Sequence, residues 1–157
     1  MTPDAPAAPE LITVDGLRRR AAPVTALDAY AVLSATEVFG RKTVRADDAY
    51  LEGHYPDVTV YPGMFLVESV QEAVLRLLGA TRGSGASAEP ASIDSIRFTA
   101  AFAPGDVIDV HCACRPVSKD VLAVTAQCLK GGSKAARIKM SFRVSPAEDT
   151  ASGGSHA

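Results

Sequence analysis

Three runs of strict alternation between Ile108 and Val144 constrain this chain more than any other feature. Ile108, Val110, Cys112 and Cys114 alternate with Asp109, His111, Ala113 and Arg115. Leu122, Val124, Ala126 and Cys128 alternate with polar or small partners. Ile138, Met140, Phe142 and Val144 alternate with Arg137, Lys139, Ser141 and Arg143. A period of two places every apolar side chain on one face of an extended strand. Lys130-Gly131-Gly132-Ser133 has the composition of a hairpin turn, so the last two runs are expected to lie antiparallel. Ahead of them Ser92–Phe102 reads as a further strand, closed by the turn Pro104-Gly105-Asp106.

A different pattern precedes the strands. From Gly63 to Leu78 the apolar residues Met64, Phe65, Leu66, Val67, Val70, Ala73, Val74, Leu75, Leu77 and Leu78 cover nearly the whole circumference of a helix, which predicts a buried central helix. Gly79 is the expected C-cap, followed by a mobile Gly/Ser/Ala-rich loop from Ala80 to Pro90. Upstream, Ala31–Glu37 reads as a strand and Thr43–Leu51 as a second extended piece. One long helix followed by consecutive hairpin-joined strands excludes a parallel α/β fold, in which the elements alternate. The pattern predicts an α+β fold, an antiparallel sheet curled around a single helix. At 157 residues one domain is expected over 10–145, with disordered segments at 1–9 and 146–157.

A formal net charge of −2 gives no whole-chain field that favours nucleic acid or anionic membrane. The three cysteines offer no disulfide framework; Cys112 and Cys114 share a strand face and read as small core hydrophobes. The first ten residues have neither a basic nor an apolar segment, and no apolar stretch reaches membrane-spanning length, so a cytoplasmic location is expected.

The chemistry concentrates in Gly53-His54-Tyr55-Pro56 and in Pro62-Gly63 at the head of the helix. Glu68 follows fourteen residues after His54. A histidine and a carboxylate are what proton removal at one carbon and proton delivery to a leaving group require. A helix N-terminus beginning at Gly63 offers backbone N–H groups to a developing oxyanion. The bland alternative is that Glu68, Glu72 and Arg76, at i, i+4 and i+8, form a solvated stripe with a weak Glu72–Arg76 pair.

The segment from Gly53 to Glu68 resembles the His-(Phe/Tyr)-Pro … Pro-Gly … Glu signature of hotdog-fold 3-hydroxyacyl-acyl-carrier-protein dehydratases. Pro23-Val24-Thr25-Ala26-Leu27-Asp28 is similar to that family's opening motif, Ile96-Arg97-Phe98 to its Arg-Phe strand, and Pro104-Gly105-Asp106 to its turn. The resemblance runs from about Pro23 to Val144. Departures mark a specialised relative. Thr59 flanked by Val58 and Val60 replaces a proline, Gln71-Glu72 replaces Ala-Gln, and Arg20-Ala21-Ala22 stands where the family keeps His-Arg.

The resemblance implies dehydration of a (3R)-3-hydroxyacyl thioester to the trans-2-enoyl thioester. The acyl group would be carried on phosphopantetheine of acyl carrier protein or CoA, with no other cofactor and no metal. His54 would be the base at the α-carbon, Gly63 N–H the carbonyl holder and Glu68 the acid toward the 3-hydroxyl, its proton affinity expected to be raised by burial. Glu68, where the dehydratase/isomerase branch carries Asp, favours dehydration without isomerisation. The resemblance also implies a homodimer or heterodimer of hotdog chains in which His54 of one faces Glu68 of the other. Tyr55, Val58, Tyr61, Pro62, Met64, Phe65 and Phe98 would line the acyl tunnel. Arg97, Arg41 and Lys42 are candidates to meet the carrier's acidic surface. Two alternatives stay open: a thioester hydrolase on the same fold, and a non-catalytic scaffold subunit of a heterodimeric dehydratase.

Overall fold

In the computed structural model, residues 8–13, 25–48 and 51–146 are described. They comprise β1 (Ile12–Thr13), β2 (Ala29–Val32), β3 (Glu37–Thr43), α1 (Phe65–Arg82), β4 (Ser87–Phe98), β5 (Val107–Pro116), β6 (Val121–Lys130) and β7 (Ser133–Ser145). The strands form one seven-stranded sheet in the order β1-β2-β3-β5-β6-β7-β4. Every pairing in it is antiparallel. The three alternating runs become β5, β6 and β7, and their apolar halves form the inner face. Val110, Cys112, Ala126, Cys128, Ile138 and Phe142 lose all contact with solvent there, as do Val70, Ala73 and Val74 of the helix. Each fully buried large aliphatic or aromatic side chain contributes about 1.5–3 kcal/mol relative to an exposed one. The sheet therefore curls around α1, the hotdog arrangement.

Local differences from the sequence expectations have physical causes. The expected strand Ala31–Glu37 is two strand ends joined by a turn. Leu33 and Ser34 both donate to Glu37 O, at 2.9 and 3.2 Å, and Ser34 Oγ accepts from Thr36 N–H, so the small polar Ser-Ala-Thr run reverses the chain. In the expected extended piece Thr43–Leu51, only Thr43 belongs to a strand among the described residues. Val44 instead exchanges hydrogen bonds with the Pro104-Gly105-Asp106 turn, and turns close at Arg45–Asp48 and at Leu51–His54.

The helix begins at Phe65 and runs through Gly79 to Arg82, with Thr81 Oγ1 donating to Leu77 O at 2.9 Å. A glycine inside a helix costs only about 1 kcal/mol, too little to end it here. The chain leaves the helix at Gly83, whose φ of 102° favours glycine. The expected loop Ala80–Pro90 thus shrinks to residues 83–86. β4 starts at Ser87 and ends at Phe98, not Phe102, because pairing with β7 overrides a run poor in strand-forming residues. Expectations for residues 1–7 and 147–157, and for Arg20 to Val24, lie outside the described residues.

The inner face is not wholly apolar. Lys42 points inward from β3 and is 1% exposed, its Nζ 3.9 Å from Asp28 Oδ1. The other Asp28 oxygen accepts Thr43 N–H at 2.6 Å, and Asp28 N–H donates to Arg41 O. The Asp of the opening motif is therefore the anion beside a buried cation. Ser69 Oγ donates to Ala26 O at 2.8 Å and ties the same segment to the helix. Elsewhere Asp106 accepts from Lys130 Nζ at 2.9 Å and Ala103 N–H at 2.7 Å. The Lys130 hydrogen bond first, then the Ala103 amide, lower its pKa.

Asp28→Ala is expected to destabilise the fold by about 3 kcal/mol, since it leaves Lys42 buried without its anion. The loss should be largely recovered in Asp28→Ala/Lys42→Met, measured by urea denaturation. The contribution of Asp106 is present above its unfolded pKa, about 3.9, and is lost as pH falls through the lower folded value. Acid titration of Asp106→Asn should therefore differ from the parent only above that depressed value, the parent being the more stable.

Candidate active site

His54 sits at the end of a series of turns that fix both its backbone and its ring. Its N–H donates to Leu51 O at 3.1 Å, and its carbonyl accepts from Val60 N–H at 2.8 Å. The ring Nδ1 lies 2.7 Å from Val60 O, and the ring stacks on Tyr55 with centroids 4.4 Å apart. A carbonyl only accepts, so Nδ1 carries the proton. In the neutral ring Nε2 is left with its lone pair, the form needed to take a proton from carbon. Val60 thereby acts as the orienting group; sequence reading passed over it because its main chain does the work.

Three residues beyond Val60 the helix approach begins. Tyr61 N–H donates to Phe102 O at 2.8 Å, which anchors the approach to Pro62-Gly63 against the segment after β4. The first turn is tight: Phe65, Leu66 and Val67 donate to the carbonyls of Pro62, Gly63 and Met64 at 3.0, 3.1 and 3.1 Å. Met64 supplies no side-chain cap. Among the described residues, the Gly63 and Met64 amides have no hydrogen-bond acceptor. Two N–H donors at a helix N-terminus, reached by the loop that carries a tautomer-locked histidine, suit an oxygen that gains negative charge.

Gly63 lies directly against a side chain from β4. A Cβ there would lie 2.6 Å from Phe98 Cζ and 2.9 Å from Cε1, so the ring tip of Phe98 abuts the glycine. Of the other tunnel candidates, Tyr61 is buried and meets Phe65 edge-on with ring centroids 5.7 Å apart; Pro62 is half-buried. Tyr55, Val58 and Met64 are exposed. The structure thus brings Tyr61, Pro62, Gly63, Phe65 and Phe98 together at the helix start, while Tyr55 and Val58 ride the histidine loop.

Glu68 lies in the first turn of α1, half-buried, where a carboxylate favours the helix dipole. The solvated-stripe alternative does not hold beyond it. Glu72 is buried, and its Oε1 is gripped by Arg76 Nε at 2.9 Å and Nη2 at 2.7 Å. The Arg76 guanidinium in turn lies 5.3 Å over the Tyr30 ring. Gln71 is buried as well, donating to Ala88 O at 3.1 Å. The departure Gln71-Glu72 therefore adds no surface charge; both side chains are used inside the protein.

The basic candidates also need correction. Lys42 is buried, and Arg41 is held by Asp109 through Nε at 2.7 Å and Nη2 at 3.1 Å, which raises its pKa. Buried Lys42 cannot meet a carrier; Arg41, with 43% of its side chain exposed, is already paired with Asp109. Arg97 is exposed and lies directly opposite Arg137. The cysteines are poor nucleophiles: burial pushes Cys128 up to about 12, Cys114 to about 11 and Cys112 well above its ordinary value, so all three stay protonated at neutral pH. Among the described residues, no three His, Cys, Asp or Glu side chains are grouped to hold a metal ion. No described helix is long and apolar enough to cross a membrane.

Known proteins share this framework. A 3-hydroxyacyl-acyl-carrier-protein dehydratase FabZ of Clostridium beijerinckii is 36% identical over 76 residues, 48% of this chain and 54% of the relative. A FabZ of Psychromonas ingrahamii is 38% identical over 75 residues, 46% and 50% of the two chains. The chain spans about half the length of these curated relatives. Among solved structures, the dehydratase heterocomplex ApeI:P from Xenorhabdus doucetiae superposes with a TM-score of 0.67 at 17% identity, covering 79% of this chain and 85% of that one. The fluoroacetyl-CoA thioesterase FlK superposes with a TM-score of 0.58 at 19% identity, covering 71% and 87%. Both share the hotdog fold. The model of the ApeI-like family, described as ApeI dehydratase, matches residues 32–138, and the chain belongs to that family.

Proposed function

We propose that the protein dehydrates a (3R)-3-hydroxyacyl thioester to the trans-2-enoyl thioester, on the phosphopantetheine of an acyl carrier protein or of CoA, in fatty-acid or polyketide-type specialised biosynthesis. The observation that carries this reading is the Nδ1–Val60 hydrogen bond, which leaves a basic Nε2 in the loop that leads to the two amides of Gly63 and Met64. A carbon acid next to a thioester is too weak for imidazole alone. The amides stabilise the charge that develops on the thioester oxygen as His54 removes the α-proton. Glu68 then delivers a proton to the 3-hydroxyl, which leaves as water. A hydrolase would need a carboxylate and water but has no use for this locked imidazole. A scaffold subunit could keep the same motif, and turnover by the purified protein alone separates the two readings.

The site is shared between two hotdog chains, in a homodimer or heterodimer, with His54 of one facing Glu68 of the other. β4 is suited to that contact. Among the described residues it is a twelve-residue edge strand paired with β7 alone, and it exposes Ile93 and Phe98. An unpaired edge with apolar side chains invites a second strand. Carrier docking would use Arg97, Arg137 and Lys139 in place of Arg41 and Lys42. Arg97 and Arg137 are juxtaposed like charges, which an acidic partner stabilises.

Mass spectrometry of the purified protein with 3-hydroxyacyl carrier-protein and CoA thioesters is expected to show loss of water; formation of free acid would establish a hydrolase instead. His54→Ala should abolish turnover with little loss of stability. Glu68→Gln, which keeps shape but cannot transfer a proton, should lower kcat by roughly 10²–10⁴-fold. Native mass spectrometry should find an even-numbered assembly, and a monomer at all concentrations, with no second hotdog chain bound, would remove the shared site.

A further inference from the structure

Phe98 is more than a wall of the acyl tunnel. Its ring tip stands against the Cα of Gly63, so close that a single added carbon on the glycine would reach 2.6 Å from Cζ. The backbone that follows the ring is fixed. Thr99 N–H and Ala100 N–H both donate to Ala135 O, at 2.8 and 3.2 Å, and fix the end of β4. Phe102 O holds Tyr61 N–H, two residues before Gly63. The Phe102–Tyr61 hydrogen bond thus ties the segment after Phe98 to the approach to Gly63, and the half-exposed ring stands over the glycine.

A thioester oxygen that accepts from Gly63 N–H at about 2.9 Å brings the carbon and sulfur attached to that carbonyl into van der Waals reach of the ring. We propose that Phe98 selects the substrate at its α-carbon: it admits 3-hydroxyacyl thioesters with an unsubstituted C2 and excludes those bearing a 2-methyl or larger branch. The inference rests on the dehydratase reading and specifies its substrate class. A 2-methyl-3-hydroxyacyl thioester still has one α-proton. The reaction therefore balances for both substrates: the C2–H and C3–O bonds break, the C2=C3 bond forms, and water leaves. The two differ only in a methyl group beside the reacting carbon. No acid, base or oxyanion donor is altered, so exclusion is a matter of space at the ring. Space of one methyl in an apolar site is worth about 10- to 200-fold in kcat/KM.

The test uses the full chain in its native assembly with pantetheine thioesters of 3-hydroxybutyrate and of both 2-methyl-3-hydroxybutyrate diastereomers, read by mass loss of water. The parent is expected to favour the unbranched substrate by at least about tenfold. Phe98→Ala should bring the ratio of the two kcat/KM values to within a few-fold of one, chiefly through the branched substrate. Phe98→Leu, which keeps most of the packing volume, should give an intermediate ratio. Equal turnover of the two substrates by the parent, or a fall in both by the same factor in Phe98→Ala and Phe98→Leu, would overturn the inference. Loss of water from the unbranched substrate that survives His54→Ala would show that the site itself is misassigned.

Discussion

The burial of α1 under the inner sheet face is the constraint on which the rest of the structure depends. Val70, Ala73, Val74 and Leu77 share one apolar cluster with the inner-face residues of β5, β6 and β7, and the helix packs most closely against β2, β3, β4 and β5, which fixes its axis relative to the sheet. With the axis fixed, the helix N-terminus can occupy only one place, beyond the turn that follows Val60. Everything chemical in the molecule is arranged around that point. The histidine loop reaches it through Val60, the Phe102 carbonyl anchors Tyr61 before it, and Phe98 closes on Gly63 from the far edge of the sheet. A packed interior transmits such placement because it has little room to give.

The polar groups drawn inside the wrap are the price of that arrangement. Lys42 lies among inner-face residues with Asp28 as its counter-charge, and Glu72 is neutralised by Arg76 one turn along the helix. Both pairs join segments that apolar packing alone leaves loosely specified. The first holds the chain before β2 to β3; in the second, Arg76 reaches from the helix to Tyr30 on β2. Such pairs add little net stability, yet each would be costly to break by removing one member.

What could be read from the sequence follows from which signals are local. The period of two in β5, β6 and β7 and the apolar run of α1 identified the architecture, because both reflect burial of whole faces. The histidine, the glycine and the glutamate were legible as a spaced motif. The start of β4 was not: Ser87 to Pro90 contains nothing that favours a strand, and only its register with Ser145 to Phe142 makes it one. The turn between β2 and β3 was hidden by apolar residues on either side. Val60 was missed because it acts through its carbonyl, which no side chain advertises. Lys42 and Glu72 read as solvated charges because sequence alone does not reveal a counter-charge brought in by the fold.

The two ends of the sheet are very unequal. Among the described residues, β1 offers two at one end, while at the other β4 offers twelve. β4 also carries Pro90 and two register shifts, near Pro90 and Ile93, that break its hydrogen-bonding rhythm. A strand laid along β4 by a two-fold related copy would consume both long edges at once. Among the described residues, the short β1 edges would then face outward at the extremities of the joined sheet. With the long edges spent on each other, growth through them would stop at a closed pair instead of continuing into a fibre.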